Sequence, residues 1–369
     1  MCNFFCNFAA EMIYSDLNSA LLPYLNRYEK GQICIVADKC LIRHEEWLRA
    51  HSLHELPVLW LDADEADKSP QTVMQIWDFL FDHELTRRGL LICIGGGVLT
   101  DTGGFAAATY KRGMDYINVP TTLLAMIDAS SGGKTGVNYR GLKNAVGVFA
   151  QPVETVICPA WLSTLPAEQF LSGFGEMLKT GLIAGNHTPD EPNLWERLLQ
   201  YDLDTMDVQA LTPLIEACVE AKERIVAADP HETGVRKVLN FGHTFGHALE
   251  EIQMANSPMV HGKCPNGTCL HGYAVLYGLI AELYLSVVKL GCPKQPLQLL
   301  TQIMLHYYGK PQCKCSDYER LVELMKQDKK NERADEINCT LIHDVGSPVI
   351  NQTVSEDEAK EALDYLFSL

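Results

Sequence analysis

The 369-residue chain predicts an α/β domain built on a parallel sheet, followed by an all-helical domain. Three observations carry this expectation. Short apolar runs alternate with helix-period segments in the first half; strand-like runs nearly vanish past Pro166; and Gly95-Gly96-Gly97 stands where an apolar run gives way to a helix. Strands alternating with helices argue for a parallel sheet covered on both faces. The length suits two domains with ample core, and we set their bounds at residues 1–167 and 168–369. Residues 1–12 are expected to be a disordered extension, because a more conventional opening follows Met12.

In chain order, residues 32–38 form an apolar run ending in an acid, and residues 56–63 form a second; both read as strands. Residues 70–88 read as helix, with Val73, Ile76, Trp77, Leu80 and Leu85 at helical spacing. The short run 90–94 reads as strand, 105–111 as helix, 116–120 as strand, 121–129 as helix and 155–158 as strand. Residues 167–184, 194–199, 211–227, 238–253, 273–290 and 318–330 all read as helical.

Composition narrows the function. The net charge of −17 argues against nucleic acid or an anionic membrane as partner. It also requires that an anionic small substrate be held by a local cluster of Lys and Arg. No segment is expected to reach the roughly 20 apolar residues of a membrane span, and the opening residues lack the basic region of a signal peptide. The 13 cysteines are scattered and read as reduced thiols, so the cytoplasm is the expected compartment. Cys264, Cys269, Cys313 and Cys315 lack the Cys-x₂-Cys spacing of a structural zinc site and read as loop cysteines.

Four segments bear chemistry. Gly95-Gly96-Gly97-Val98-Leu99-Thr100-Asp101 lets backbone N–H groups approach a diphosphate at a helix start, against the alternative of a plain tight turn. Asp128-Ala-Ser-Ser-Gly-Gly-Lys134-Thr135 fails as a P-loop because Asp128 stands where glycine is required. It reads instead as an active-site loop, with buried-looking sequence at 123–127 and 146–149 on either side and Lys143-Asn144 downstream. Glu176 and Lys179 form an i, i+3 charge pair among apolar residues and glycines, which suits a cleft better than a surface. Asn240-Phe-Gly-His243-Thr-Phe-Gly-His247 puts two imidazoles on one helix face, each after a glycine. Thr244 occupies the place of a metalloprotease glutamate, which excludes that reading. His271 and His261 are rival candidates for a third imidazole.

Together these segments resemble the 3-dehydroquinate synthase family of the sugar-phosphate cyclase group. The resemblance spans roughly residues 30 to 345. It rests on 95–101, Tyr110-Lys-Arg-Gly113, Val119-Pro-Thr-Thr-Leu-Leu124, 128–136, Lys143-Asn144, 175–179, Lys222, 229–236, 240–250, Leu270-His-Gly272 and Asp328-Lys-Lys330. It implies a Rossmann-like first domain and a helical second one. The implied metal ligands are Glu176, His243 and His271, holding Zn²⁺ or Co²⁺; His271 is preferred to His261 because Leu270-His-Gly-x-Ala-Val opens a helical apolar run.

The implied NAD positions are Asp38, Glu65, Lys68, Gly96, Gly97, Val98, Asp101, Thr121, Thr122 and Lys143. Those for substrate are Arg112, Asp128, Lys134, Asn144, Lys179, Lys222, Arg236, Asn240, His247 and Lys329 or Lys330, which answers the charge problem locally. His247, Glu232, Lys134 and Arg112 are the implied catalytic residues. The implied reaction converts 3-deoxy-D-arabino-heptulosonate 7-phosphate to 3-dehydroquinate and phosphate, through transient oxidation by NAD⁺, phosphate loss, re-reduction and aldol closure. The implied assembly is a homodimer.

Tyr273 departs from the family's glutamate, Phe174 from its small aliphatic residue and Gly175 from its common alanine, and residues 255–270 are longer than usual. None of these changes removes a residue with a chemical role. Another sugar-phosphate cyclase would alter the positions of Arg236, Asn240 or His247, and a polyol dehydrogenase would lack Lys134, Lys179 and Lys222. All six stand in place, as a catalytically dead binding protein would not require.

Overall fold

The computed structural model describes residues 13–44, 53, 55–130, 132–140, 142–185, 192–256, 270–311, 313–327 and 336–369. The chain divides into two compact units, Met1–Thr164 and Leu165–Leu369.

In the first unit the strands are β1 (Ile33–Asp38), β2 (Val58–Leu61), β3 (Leu90–Gly95), β4 (Asp115–Pro120), β5 (Lys134–Tyr139), β6 (Leu142–Phe149) and the two-residue β7 (Glu154–Thr155). Five of them make a parallel sheet in the order β2-β1-β3-β4-β7. Residues of β1 and β3 are buried almost without exception, as continuous apolar runs require when both faces of a parallel sheet are covered. Helices α2 (Pro70–Asp82) and α3 (Gly97–Thr109) pack on the strands, and α1 (Leu17–Leu25) precedes β1 with Leu17, Ala20 and Leu21 buried. Ser69 caps α2, Pro70 opens it, and its Val73, Ile76 and Leu80 enter the core. Strands are added on one side of β1 up to β2 and on the other from β3 onward. The carboxyl ends of β1 and β3 therefore flank a topological switch point, where ligands bind in open α/β sheets.

Several expectations for this unit need correction. The helix expected at 105–111 begins at Gly97 and runs through Gly103 and Gly104. Those glycines are forced by contact rather than flexibility: a Cβ on Gly103 would stand 2.5 Å from Cys93 Sγ, and one on Gly104 2.7 Å from Thr135 Cγ2. The helix stops before Lys111 and Arg112, both with positive φ. The helix expected at 121–129 is mostly a wide π-turn, Ala125–Ala129, closed by Ser130 Oγ donating to the Ala125 carbonyl at 2.6 Å. The strand at 155–158 is shorter than read, with Ile157 bridging to Ile13. The glycine-rich loop after Asp128 leads into an antiparallel hairpin, β5–β6, that periodicity did not announce. Its second strand lies exposed along its whole length, so the buried-looking run 146–149 is a surface strand, with Phe149 at 56 % exposure.

The second unit contains α4 (Ala167–Ile183), α5 (Leu194–Gln200), α6 (Val208–Ala228), α7 (His243–Asn256), α8 (His271–Leu290), α9 (Lys294–Ile303), α10 (Tyr318–Lys326) and α11 (Glu356–Ser368). The hairpin β8 (Ile337–Ile342)–β9 (Pro348–Val354) is its strand pair among the described residues. The helix expected at 238–253 is two pieces, a 3₁₀ turn Val235–Asn240 and α7, broken at Gly242 with φ +79°.

Helix α8 is the hub, packed against α4, α7, α9, α11 and β8. It also corrects the expectation that no segment nears membrane-span length, since its 20 residues include an 18-residue window of mean hydropathy 1.5. With 72 % of that window buried, the apolarity serves the core. Cys264, Cys269, His261 and the extension 1–12 lie outside the described residues.

Candidate metal and active site

Three helices meet here backbone to backbone. A Cβ on Gly272 of α8 would fall 1.7 Å from the Ser172 carbonyl oxygen of α4, and one on Gly175 would fall 2.5 Å from the Gly272 oxygen. On the other side, a Cβ on Gly278 would lie 1.9 Å from the Gly242 oxygen, and one on Gly246 3.0 Å from the Ala274 oxygen. The next residues in sequence are Glu176, His243 and His247, and His271 precedes Gly272. Each candidate ligand thus starts from a point where two backbones touch. The glycines before the histidines, read from sequence as room for backbone or ligand, make room for backbone.

The side chains converge accordingly. Glu176 Oε1 lies 3.4 Å from His243 Nε2 and 3.2 Å from His271 Nε2. One donor atom from each of the three residues falls within 4.8 Å of the others. His243 Nδ1 faces the Phe241 carbonyl at 3.1 Å, and His271 Nδ1 faces Glu250 Oε2 at 3.4 Å. Oxygen partners at both Nδ1 atoms place a proton there, so the Nε2 of each ring, facing Glu176, is the nitrogen that a metal would take.

His247 borders the cluster without joining it, with ring centroids 5.3 Å from His243 and 6.0 Å from His271. Lys179 Nζ sits 2.5 Å from Glu176 Oε2, making the expected i, i+3 pair, but fully buried. Neither Glu176 oxygen has a partner in hydrogen-bond geometry, although both are buried. A carboxylate and two oriented imidazoles, with those oxygens to satisfy, fit a divalent ion of the Zn²⁺ or Co²⁺ kind.

The electrostatics follow from burial and neighbours. Burial opposes ionisation of Glu176, but Lys179 and the two histidines override it and hold the carboxyl well below the usual carboxylate range. Burial, reinforced by Lys179, pushes His243 down to about 4 despite Glu176. Burial works the same way on His271, yet the carboxylates of Glu250 and Glu176 outweigh it and lift that group to about 10.

A loop after α6 carries further expected residues. Asp229 accepts the N–H groups of Thr233, Gly234 and Arg236 at 3.0, 2.7 and 3.0 Å. This folds the chain so that Asn240 Nδ2 donates to Glu232 Oε1 at 2.9 Å, with Glu232 at φ +57°. Arg236 is buried, one guanidinium nitrogen donating to the Pro230 carbonyl at 2.8 Å, and Lys222 is buried on α6. Sequence reasoning gave no role to Asp229, Glu250 or Glu282. The signal for Asp229 was present, an acid four and five residues before Thr-Gly, but Glu250 and Glu282 look like ordinary helix-surface acids.

In the first unit, Asp38 ends β1, and Gly96 and Gly97 start α3 with no side-chain cap, leaving N–H groups at its first turn unclaimed by a cap. Gly96 packs near Thr122, and Thr121 N donates to the Gly95 carbonyl at 3.0 Å, so these segments share one end of the sheet. Lys68 Nζ pairs with Asp101 Oδ2 at 2.6 Å. Glu65 accepts from Asn138 Nδ2 at 2.8 Å, and Asn138 Oδ1 accepts the Asn144 N–H at 2.8 Å, tying the β5–β6 hairpin to this edge. Val98 lies in the first turn of α3 and Asp128 in the π-turn, while Lys134, Lys143, Asn144 and Arg112 are exposed. Lys329 and Lys330 lie outside the described residues.

Residues 58–172 match the family model for the 3-dehydroquinate synthase N-terminal region, and residues 173–331 match that for its C-terminal region. The chain belongs to the 3-dehydroquinate synthase family. It is 39 % identical to the 3-dehydroquinate synthase of Parabacteroides distasonis, over 96 % of each chain. It is 37 % identical to that of Prochlorococcus marinus, over 84 % of this chain and 80 % of the other. Among solved structures, a 2-epi-5-epi-valiolone synthase from Streptomyces hygroscopicus subsp. jinggangensis, with NAD⁺ and Zn²⁺ bound, superposes with a TM-score of 0.80, at 27 % identity and 96 % coverage of both chains. Membership in the 3-dehydroquinate synthase family accounts for the parallel sheet followed by helices.

Proposed function

We infer that this chain is a carbon–oxygen lyase that converts 3-deoxy-D-arabino-heptulosonate 7-phosphate to 3-dehydroquinate and phosphate. The observation that carries the reading is the convergence of Glu176, His243 and His271 in a chain 39 % identical to a named 3-dehydroquinate synthase along nearly its whole length. When bound, NAD⁺ would supply reversible hydride transfer at the substrate's C5 carbinol, and a divalent ion held by Glu176, His243 and His271 would supply Lewis-acid polarisation of the substrate hydroxyls.

The chain's own residues do the rest. Glu176, His243 and His271 hold the metal, with Nε2 as donor on each histidine. His247, beside the ligands yet outside their set, moves protons at the reacting carbons, with Glu232 as a second acceptor. Lys179, Lys222, Arg236 and Asn240 bind the phosphate and carboxylate, and a Lys from 329–330 adds to them. Arg112, Asp128, Lys134 and Asn144 are proposed as further substrate contacts, with Arg112 and Lys134 assisting the chemistry. NAD is proposed to sit at the switch point of the first unit, its diphosphate at the start of α3 against Gly96, Gly97 and Val98. Asp38, Glu65, Lys68, Asp101, Thr121, Thr122 and Lys143 line it.

The test is a coupled measurement on purified protein supplied with NAD⁺ and Zn²⁺ or Co²⁺. Phosphate release from the heptulosonate phosphate without net NADH accumulation supports the reading. Steady NADH build-up would point to a dehydrogenase, and no turnover with any heptulose phosphate to a binding protein.

We also propose a cytoplasmic homodimer. The support for the dimer is strand β6, which leaves Leu142, Val146, Val148 and Phe149 exposed by 40 % or more on one surface strand. Light scattering after size exclusion should return twice the monomer mass; a monomer at micromolar concentration would contradict it.

A further inference from the structure

Glu250 is buried on α7 with its Oε2 3.4 Å from His271 Nδ1. The two imidazoles of the cluster are therefore backed differently. His243 donates Nδ1–H to a neutral carbonyl, that of Phe241, whereas His271 donates to a carboxylate. A carboxylate is the stronger acceptor of the two, so the Nδ1 proton is held more firmly on His271 than on His243.

We propose that Glu250 is a positioning residue for the metal centre. It fixes the Nδ1 proton of His271 and so raises the donor strength of its Nε2 toward a metal. The proposal rests on the metal-site reading above. Outer-shell carboxylates behind metal-bound histidines typically change metal affinity 10- to 100-fold, which sets the expected size.

The test is competitive titration of metal-free protein with Co²⁺ against a chromophoric chelator, for the wild type, Glu250→Gln and Glu250→Ala. Glu250→Gln keeps the side-chain shape and carries the test should Glu250→Ala fail to fold. The expected result is a Kd raised about 10- to 100-fold in Glu250→Gln. Its far-UV circular dichroism and urea midpoint without metal should stay close to wild type. In the zinc-loaded wild type, ¹⁵N NMR should report a protonated Nδ1 on His271, with that signal shifted or broadened in Glu250→Gln. Equal Co²⁺ affinity in the wild type and Glu250→Gln would overturn the role of Glu250 while leaving the metal site standing. Failure of the wild type to bind Co²⁺ stoichiometrically would sink the metal site and the proposal together.

Discussion

The buried carboxylate of Glu282, on α8, accepts the backbone N–H of Gly242 at 2.7 Å. Its other oxygen accepts the N–H of Thr244 at 3.2 Å, so one side chain on the hub helix holds both residues flanking the ligand His243. These are donors that a helix start leaves without intrahelical partners, and a negative charge is favoured there.

Replacing Glu282 with Ala strands two buried N–H groups. A stability loss of about 2–5 kcal/mol is expected, since charged hydrogen bonds and unsatisfied buried donors each cost on the order of 1–3. Urea denaturation gives the first number and Co²⁺ titration the second effect, weaker metal binding through a displaced His243. A variant with wild-type midpoint and wild-type affinity would show that the turn holds itself.

Asp229 predicts a pH dependence. Burial would raise its pKa, but the N–H groups of Gly234, Arg236 and Thr233 outweigh that and lower it to about 2. A carboxyl depressed from its unfolded value of about 3.9 stabilises the fold fully above that pH. The contribution fades as the pH falls through about 2. Acid unfolding of wild type should steepen between these values, and Asp229→Asn should flatten that slope while raising KM through a loosened Arg236. An unchanged acid profile in the variant would remove Asp229 from the account.

The division of labour among the histidines is separable. His271→Ala should lose tightly bound metal and activity together; His247→Ala should keep stoichiometric metal and still lose turnover by about 10²–10⁴, the usual worth of a general acid or base. Metal analysis beside phosphate-release kinetics distinguishes them. His261→Ala should leave metal content unchanged.

Gly272→Ala tests the helix contacts. With a Cβ 1.7 Å from the Ser172 oxygen, α4 and α8 must separate. Overpacking of this kind costs about 1–3 kcal/mol or more, and the displaced Glu176 should lower metal affinity as well. A stable, fully active variant would mean that the contact can relax cheaply.

Much of this was legible in the sequence because the signals were local. The runs 32–38 and 90–94 became the buried strands β1 and β3, and the Glu176–Lys179 spacing became the ion pair. What stayed hidden depends on partners distant in sequence. Glu250 and Glu282 acquire meaning only when α7 meets α8, and Gly103 and Gly104 look like helix breakers until Cys93 and Thr135 crowd them. The run 146–149 misled for a related reason, since apolar side chains on an exposed strand carry the same letters as a core.

The touching backbones of α4, α7 and α8 bear on thermodynamics as well as shape. Side chains can change rotamer, but a carbonyl oxygen set against a glycine Cα has nowhere to go, so the coordination geometry is prepaid at folding. Loading the ion should then bring little further ordering of the protein. Calorimetric titration of metal-free protein at several temperatures should accordingly show a heat-capacity change near zero, set apart from the large negative value that accompanies coupled folding. Such a value would mark the scaffold as a rigid socket, with discrimination among ions left to the chemistry of one carboxylate and two imidazoles.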